Sequence, residues 1–375
     1  MKRIAQIINS NKVLFKNFTS LSILQIANYI FPIITLPYLV RVLGPEKYGL
    51  VSFATAFAAY FTIITDYGFN LSATQEISVN RNDKKRIAEI FSSVFTLKVS
   101  FFILSSIFFL AIVFLVPQFQ NHRLLFFITF LGVLGTALFP LWFYQGIEKM
   151  NYILVINVSV RLITTALVFV IIKDENDFIK LAGLNTSAVF VIGFVGLLVA
   201  FNKFHIKYIL PEKELLKMQL KNGWNLFLST VWINLYTTSN VFILGLFAPA
   251  NVVGYFAAAD KIRLAFQGIL STMSQSVFPY VNKLLSESYE RFINFNRKLF
   301  KVALSAGTII SITLFLFAEP LVNIVLGKDY EPSVLVLRII AWLPLVIFLS
   351  NVLGIQTMLP MNKHKSFAII LFFAA

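Results

Sequence analysis

From Phe18 onward, apolar stretches of twenty or more residues follow one another with only short polar breaks. A helix rises about 1.5 Å per residue and the hydrocarbon core of a bilayer is roughly 30 Å thick, so each stretch is long enough to cross it. With no water in lipid to satisfy backbone groups, such a chain has to fold as helices. The apolar runs place spans at residues 18–40, 50–72, 92–116, 123–144, 152–172, 179–201, 223–247, 254–281, 299–318 and 333–356, with an eleventh starting near 366. Charged residues make up 13% of the chain, where a soluble domain carries about 25%. The expected fold class is an all-α, polytopic transmembrane helix bundle that no soluble domain interrupts.

The net charge of +15 would point to nucleic acid in a soluble chain. Here its distribution decides otherwise. Twenty-one of the 32 Lys and Arg residues fall before the first span and in alternate loops: around Arg81–Arg86, at Lys149, from Lys203 to Lys221, from Lys283 to Lys301, and at Lys363 and Lys365. Six lie on the opposite side (Arg41, Lys47, Arg123, Lys173, Lys180, Lys328) and five inside spans (Lys98, Arg161, Lys261, Arg263, Arg338). The positive-inside rule puts the N-terminus in the cytoplasm, and no nucleic-acid partner is expected. The first apolar stretch is too long for a signal-peptide core and no small-residue cleavage pattern follows it. There are no cysteines, hence no disulfides.

An offset of 205 residues returns the sequence onto itself: Lys16-Asn17 falls on Lys221-Asn222, Leu21 on Leu226 and Gly49 on Gly254. Six spans separate the copies. Both halves then enter the membrane in the same direction, as a parallel internal repeat of two six-helix lobes, residues 1–205 and 206–375. A second lobe as long as the first would close near residue 407, so the chain is expected to end part-way through span eleven.

Polar residues at helical spacing within a span mark a helix contact or a cavity wall. Span one carries Gln25, Asn28, Pro32 and Thr35 at steps of three and four, and span seven carries Thr230, Thr237 and Asn240 at the shifted positions, with Asn234 close by. Asp260, Arg263, Gln267, Ser271 and Ser274 stripe span eight, while Thr55, Thr62 and Asp66 stripe span two. Together the stripes suit a water-accessible cavity; singly, such groups also serve as hydrogen bonds between packed helices.

The charges inside spans sharpen this, since an arginine at a span centre costs roughly 2.5 to 3.5 kcal/mol on insertion scales. Arg161, mid-way along span five, either pairs with a carboxylate such as Asp66 or binds an anionic ligand. Lys98, nearer a span end, is expected to snorkel. Lys261 and Arg263 are candidate ligands for an anion, with pairing of Arg263 to Asp260 at i, i+3 as the structural alternative. Arg338 is expected to reach Asp329 or Glu331. No Gly-x-x-x-x-Gly-Lys loop is present, because Val322 stands where the first glycine before Gly327-Lys328 would be. The histidines His122, His205 and His364 are scattered, so neither ATP hydrolysis, nor a metal, nor another cofactor is expected.

Four segments carry a resemblance: Arg41-Val-Leu-Gly-Pro-Glu-Lys-Tyr-Gly49, Trp142-Phe-Tyr-Gln-Gly-Ile-Glu-Lys-Met150, Phe278-Pro-Tyr-Val-Asn-Lys283 and Leu326-Gly-Lys-Asp-Tyr-Glu-Pro-Ser333. In order and spacing they resemble the polysaccharide transporter family, the O-antigen repeat-unit flippases of the multidrug/oligosaccharidyl-lipid/polysaccharide exporter superfamily. The resemblance implies a bacterial inner-membrane protein of twelve spans in two lobes, moving undecaprenyl-pyrophosphate-linked oligosaccharide from the cytoplasmic to the periplasmic face. It also implies a glycan polymerase and a chain-length regulator as partners, besides membrane lipid. On that reading Arg161, Lys261 and Arg263 meet the pyrophosphate, Gln25, Asn28, Asn234 and Gln267 meet sugars, and Asp66 or Asp260 couples transport to protons or sodium. Two other functions compete: a multidrug or small-cation exporter, which favours an acidic cavity, and a membrane-embedded glycan-processing enzyme, which needs cooperating carboxylates on an outer loop.

Overall fold

The computed structural model describes residues 2–237, 239–361, 363, 366 and 370. The side chains of Thr237, Ser271 and Ser274 and nearly all of the eleventh span lie outside the described residues. Among the described residues there are helices and no strands: α1 (Lys2–Asp66), α2 (Phe69–Val79), α3 (Lys84–Leu115), α4 (Pro117–Gln120), α5 (Arg123–Leu138), α6 (Leu141–Gly146), α7 (Met150–Ile171), α8 (Phe178–Phe204), α9 (Lys213–Thr237), α10 (Ser239–Phe247), α11 (Ala250–Glu287), α12 (Tyr289–Leu316), α13 (Ala318–Val325), α14 (Ser333–Ile340) and α15 (Leu343–Leu353). Seven helical stretches are long and apolar enough to cross a membrane, and a bent pair across α9 and α10 raises this to eight. One of them, Thr19–Val79, is 61 residues long. That is roughly 90 Å at 1.5 Å per residue, room for the first two expected spans. The 38-residue α11, with Asp260, Lys261 and Arg263, is more polar and is not one of the seven.

The turn expected at residues 43–49 is reduced to one residue. Helical geometry in α1 breaks only at Gly44 (φ 68, ψ 172), a backbone conformation open to glycine. Pro45 follows at once, where a restarting helix leaves the first N–H groups unbonded anyway. The connection expected over 202–222 likewise shortens to 205–212, because α8 and α9 extend into it; its Ile209 N–H donates to Ser92 Oγ on α3 at 2.9 Å.

The chain forms two compact units, residues 1–27 with 51–246 and residues 28–50 with 247–375. In the first, Trp142, Phe143 and Tyr144 of α6 are buried against Phe69 and Ile77 of α2 and Phe91 of α3. Tyr144 donates to the Gly196 carbonyl at 2.5 Å, and Glu148, at φ 57, ends this motif in an ion pair with Arg81 at 2.8 Å. The 142–150 motif is therefore a packing element.

In the second unit the start of α11 crosses α1 with no space between backbones. A Cβ on Gly49 would lie 1.8 Å from the Ala250 carbonyl oxygen, and one on Gly254 would lie 1.9 Å from that of Pro45. Each glycine thus meets the carbonyl four residues before the other, the close approach that small residues allow between membrane helices. The motif at 326–333 anchors here as well. Tyr330 is fully buried, edge-on to Tyr255 at 5.9 Å, and burial holds its phenol above the ordinary tyrosine range. Arg41 Nη2 donates to the Ile324 carbonyl at 2.5 Å. Arg338 reaches Glu319 at 4.0 Å rather than Asp329 or Glu331, a loose contact of an exposed pair.

Candidate functional site

Most hydroxyls of the polar stripes are satisfied within their own helix. Thr35 donates to the Phe31 carbonyl, Thr55 to Val51, Thr62 to Ala58 and Thr230 to Leu226. Asn234 does the same through Nδ2 to Thr230 at 2.8 Å. These residues lie on stripes because Ser, Thr and Asn back-bond to the preceding turn, which quenches their polarity in lipid.

The charges behave differently in the two units. In the first, Asp66 at the end of α1 takes Lys98 Nζ on Oδ1 at 2.6 Å and Asn70 Nδ2 on Oδ2 at 3.3 Å. Lys98 does not snorkel: its side chain is 1% exposed, it also donates to the Thr136 carbonyl at 3.2 Å, and it sits 4.8 Å over the Trp142 ring. A carboxylate on α1, a carbonyl on α5 and an aromatic face on α6 therefore replace the water an ammonium would lose, which makes burial affordable where reaching the interface was expected. Asp66 consequently has its partner in Lys98, and the pairing of Arg161 with Asp66 is not seen. Arg161 stands half-buried on α7, and among the described residues no hydrogen bond or ion pair engages it. Gln25, also in this unit, is half-buried and has a partner of its own.

In the second unit α11 splits its polar residues between two neighbouring faces. Asp260, Arg263 and Gln267 form one network: Arg263 Nε reaches Asp260 Oδ1 at 2.7 Å and its Nη1 donates to Gln267 Oε1. Arg263 is 7% exposed. The i, i+3 pairing is thus the arrangement present, and it occupies three of the residues expected to meet a ligand. Lys261, one position on, faces elsewhere, into a cavity of about 110 Å³ lined by Asn28, Tyr29, Pro32, Ile33 and Leu36 of α1 and by Lys261, Leu264 and Ala265 of α11. Its lining is mostly apolar, with Asn28 and Lys261 as amide and cation among the lining residues. Asn28 Oδ1 is buried without a hydrogen-bond partner, and the Lys261 ammonium has none among the described residues. An amide acceptor and a cation left unsatisfied beside a void are what a binding site for a polar ligand requires.

The model of the "Polysaccharide biosynthesis protein" family matches residues 14–285. The chain belongs to that family. A relative described as "Putative O-antigen transporter" from Escherichia coli (strain K12) is 34% identical over 97% of this chain and 88% of its own length. Another of the same description, from Shigella dysenteriae, is 32% identical over 93% of this chain and 87% of its own. Among solved structures, an inward-facing multidrug resistance MATE family transporter of the MOP superfamily aligns with a TM-score of 0.66 at 14% identity, covering 94% of this chain and 87% of that one. A second MATE structure, in a bent conformation, aligns with a TM-score of 0.59 at 15% identity, covering 97% and 85%. The fold is like that of these two MATE structures, and the resemblance read from the four sequence segments agrees with the family model and with both relatives.

Of the predicted site residues, the fold brings Asn28 and Lys261 onto one cavity, although 233 positions separate them in sequence. Two contributors escaped sequence reading. Tyr29 looked like one more apolar residue of span one. Lys98 was visible only as a charge; the nearest signal for its burial was that Trp142 and Asp66 are both residue types able to hold an ammonium.

Proposed function

We propose that this protein is a flippase that moves undecaprenyl-pyrophosphate-linked oligosaccharide, the repeat unit of O-antigen or another surface polysaccharide, from the cytoplasmic to the periplasmic face by alternating access. The observation carrying this reading is the cavity between α1 and α11, lined by apolar side chains together with Lys261 and Asn28, neither of whose polar groups is satisfied among the described residues. Among the described lining residues the one charged side chain is a cation, which suits a polar or anionic head group and opposes a cationic drug. Arg161, costly to keep in a membrane and with no hydrogen bond or ion pair among the described residues, independently suits an anionic cargo. The chain works as a transporter and not as an enzyme, in keeping with its two relatives, both described as O-antigen transporters. Coupling to protons or sodium falls to Asp66 or Asp260; each is held by an internal cation, so an incoming ion must compete with Lys98 or Arg263.

Purified protein in liposomes should translocate fluorescent or radiolabelled lipid-linked oligosaccharide when an ion gradient is imposed. Export of a cationic dye with no movement of the lipid-linked glycan would replace this reading with the multidrug one. The orientation follows the Lys/Arg bias, with the N-terminus cytoplasmic. Reporter fusions at Lys213 should then report cytoplasm and those at Lys47 periplasm, and a periplasmic signal at Lys213 would overturn it.

A further inference from the structure

Resting on the flippase reading, we propose that the α1–α11 cavity is a subsite for a single sugar ring of the cargo, held through its hydroxyl groups on Asn28 and not through the pyrophosphate. Asn28 brings one unpartnered side-chain acceptor and a main-chain carbonyl that lacks its regular helical donor. Its Oδ1 is buried and unpartnered. Its main-chain carbonyl should bond the N–H four residues on, but that residue is Pro32, which has none and also lines the cavity. Tyr29 supplies a flat aromatic wall. Its ring is seated on Gly268, where a Cβ would lie 2.8 Å from three ring atoms, so any side chain at 268 would push the ring away.

Three ligand chemistries can be weighed against these groups. A phosphate has only acceptors at neutral pH, so it would face the two Asn28 oxygens with nothing to give them, and Lys261 would be its one cation because Arg263 is engaged by Asp260 and Gln267. A metal cation would satisfy the oxygens but would share the cavity with the Lys261 ammonium. A sugar ring meets every requirement. Its hydroxyl protons go to Asn28, its hydroxyl lone pairs accept from Lys261, and its C–H face lies on Tyr29. The size agrees, since 110 Å³ holds about ten water-sized spheres, comparable to one monosaccharide.

The test is equilibrium binding to purified protein in nanodiscs with two probes: undecaprenyl pyrophosphate alone, and the lipid-linked oligosaccharide isolated from the cells that make the protein. Asn28→Leu should weaken the oligosaccharide-bearing probe by tenfold or more and leave the sugar-free carrier unchanged. Asn28→Asp keeps the shape and the acceptors, so it should hold the oligosaccharide to within about threefold, whereas a phosphate in the cavity would be repelled by the new charge. Loss of both probes in Asn28→Leu, or loss of both in Asn28→Asp, would overturn the sugar subsite while leaving the flippase reading intact. Failure of the wild type to bind or move either probe would instead overturn the flippase reading. Unchanged melting temperatures of both variants separate these effects from misfolding.

Discussion

Among the described residues, the charged sites around Lys98 and around Lys261 are finished to different degrees. Around Lys98 every polar direction is used: a carboxylate, a main-chain carbonyl and an indole face surround the ammonium, and the side chain is sealed from solvent. Around Lys261 the ammonium and the Asn28 acceptor are left open beside a void. An unsatisfied buried acceptor costs about 1–3 kcal/mol. A fold that closes one site so fully and leaves the other unfinished marks the second as the place where something else completes the bonding. The contrast also separates Arg263, tied into its own helix, from Lys261 two residues away.

The largest effect should come from breaking the finished site. Asp66→Asn strands the Lys98 ammonium in a dry pocket and should lower stability by about 3–5 kcal/mol, with a matching loss of folded protein, while Asp66→Asn with Lys98→Met should recover most of it. Thermal unfolding of the purified variants measures this, and equal losses in the single and double variants would show that the pair is not the stabilising unit. Next comes Gly254→Ala, whose methyl group would meet the Pro45 carbonyl at 1.9 Å. Forcing those backbones apart should cost about 1–3 kcal/mol, again read by unfolding, and a neutral result would show that the crossing is looser than the contact implies. Smallest in stability are Lys261→Met and Arg161→Gln, which remove charges that have no partner among the described residues and should shift stability by no more than about 0.5 kcal/mol. Both should nevertheless reduce glycan export in cells severely. A large stability loss in either would place it with Lys98 among the structural charges and blur the distinction between the two sites.

Much of this was legible beforehand for a physical reason. Hydropathy over twenty residues reports the transfer of a whole helix into lipid, and that term is large and local. The helical class and the positions of most spans therefore follow from the chain alone, as does family membership from the segments at 41–49, 142–150, 278–283 and 326–333. Site residues were legible only as types at positions. Sequence spacing placed Asp260, Arg263 and Gln267 on one stripe and Lys261 just off it, but not which stripe would be satisfied internally.

Those decisions needed the tertiary structure, because they depend on groups far apart in the chain. Whether Lys98 snorkels or is buried turns on Asp66, Thr136 and Trp142, up to 44 residues away. Whether Asn28 is one more satisfied amide or an open acceptor turns on α11 and on a proline that withholds a donor. Burial energy is set by composition and is read along the chain, whereas hydrogen-bond satisfaction is set by geometry between helices and appears only once they are packed.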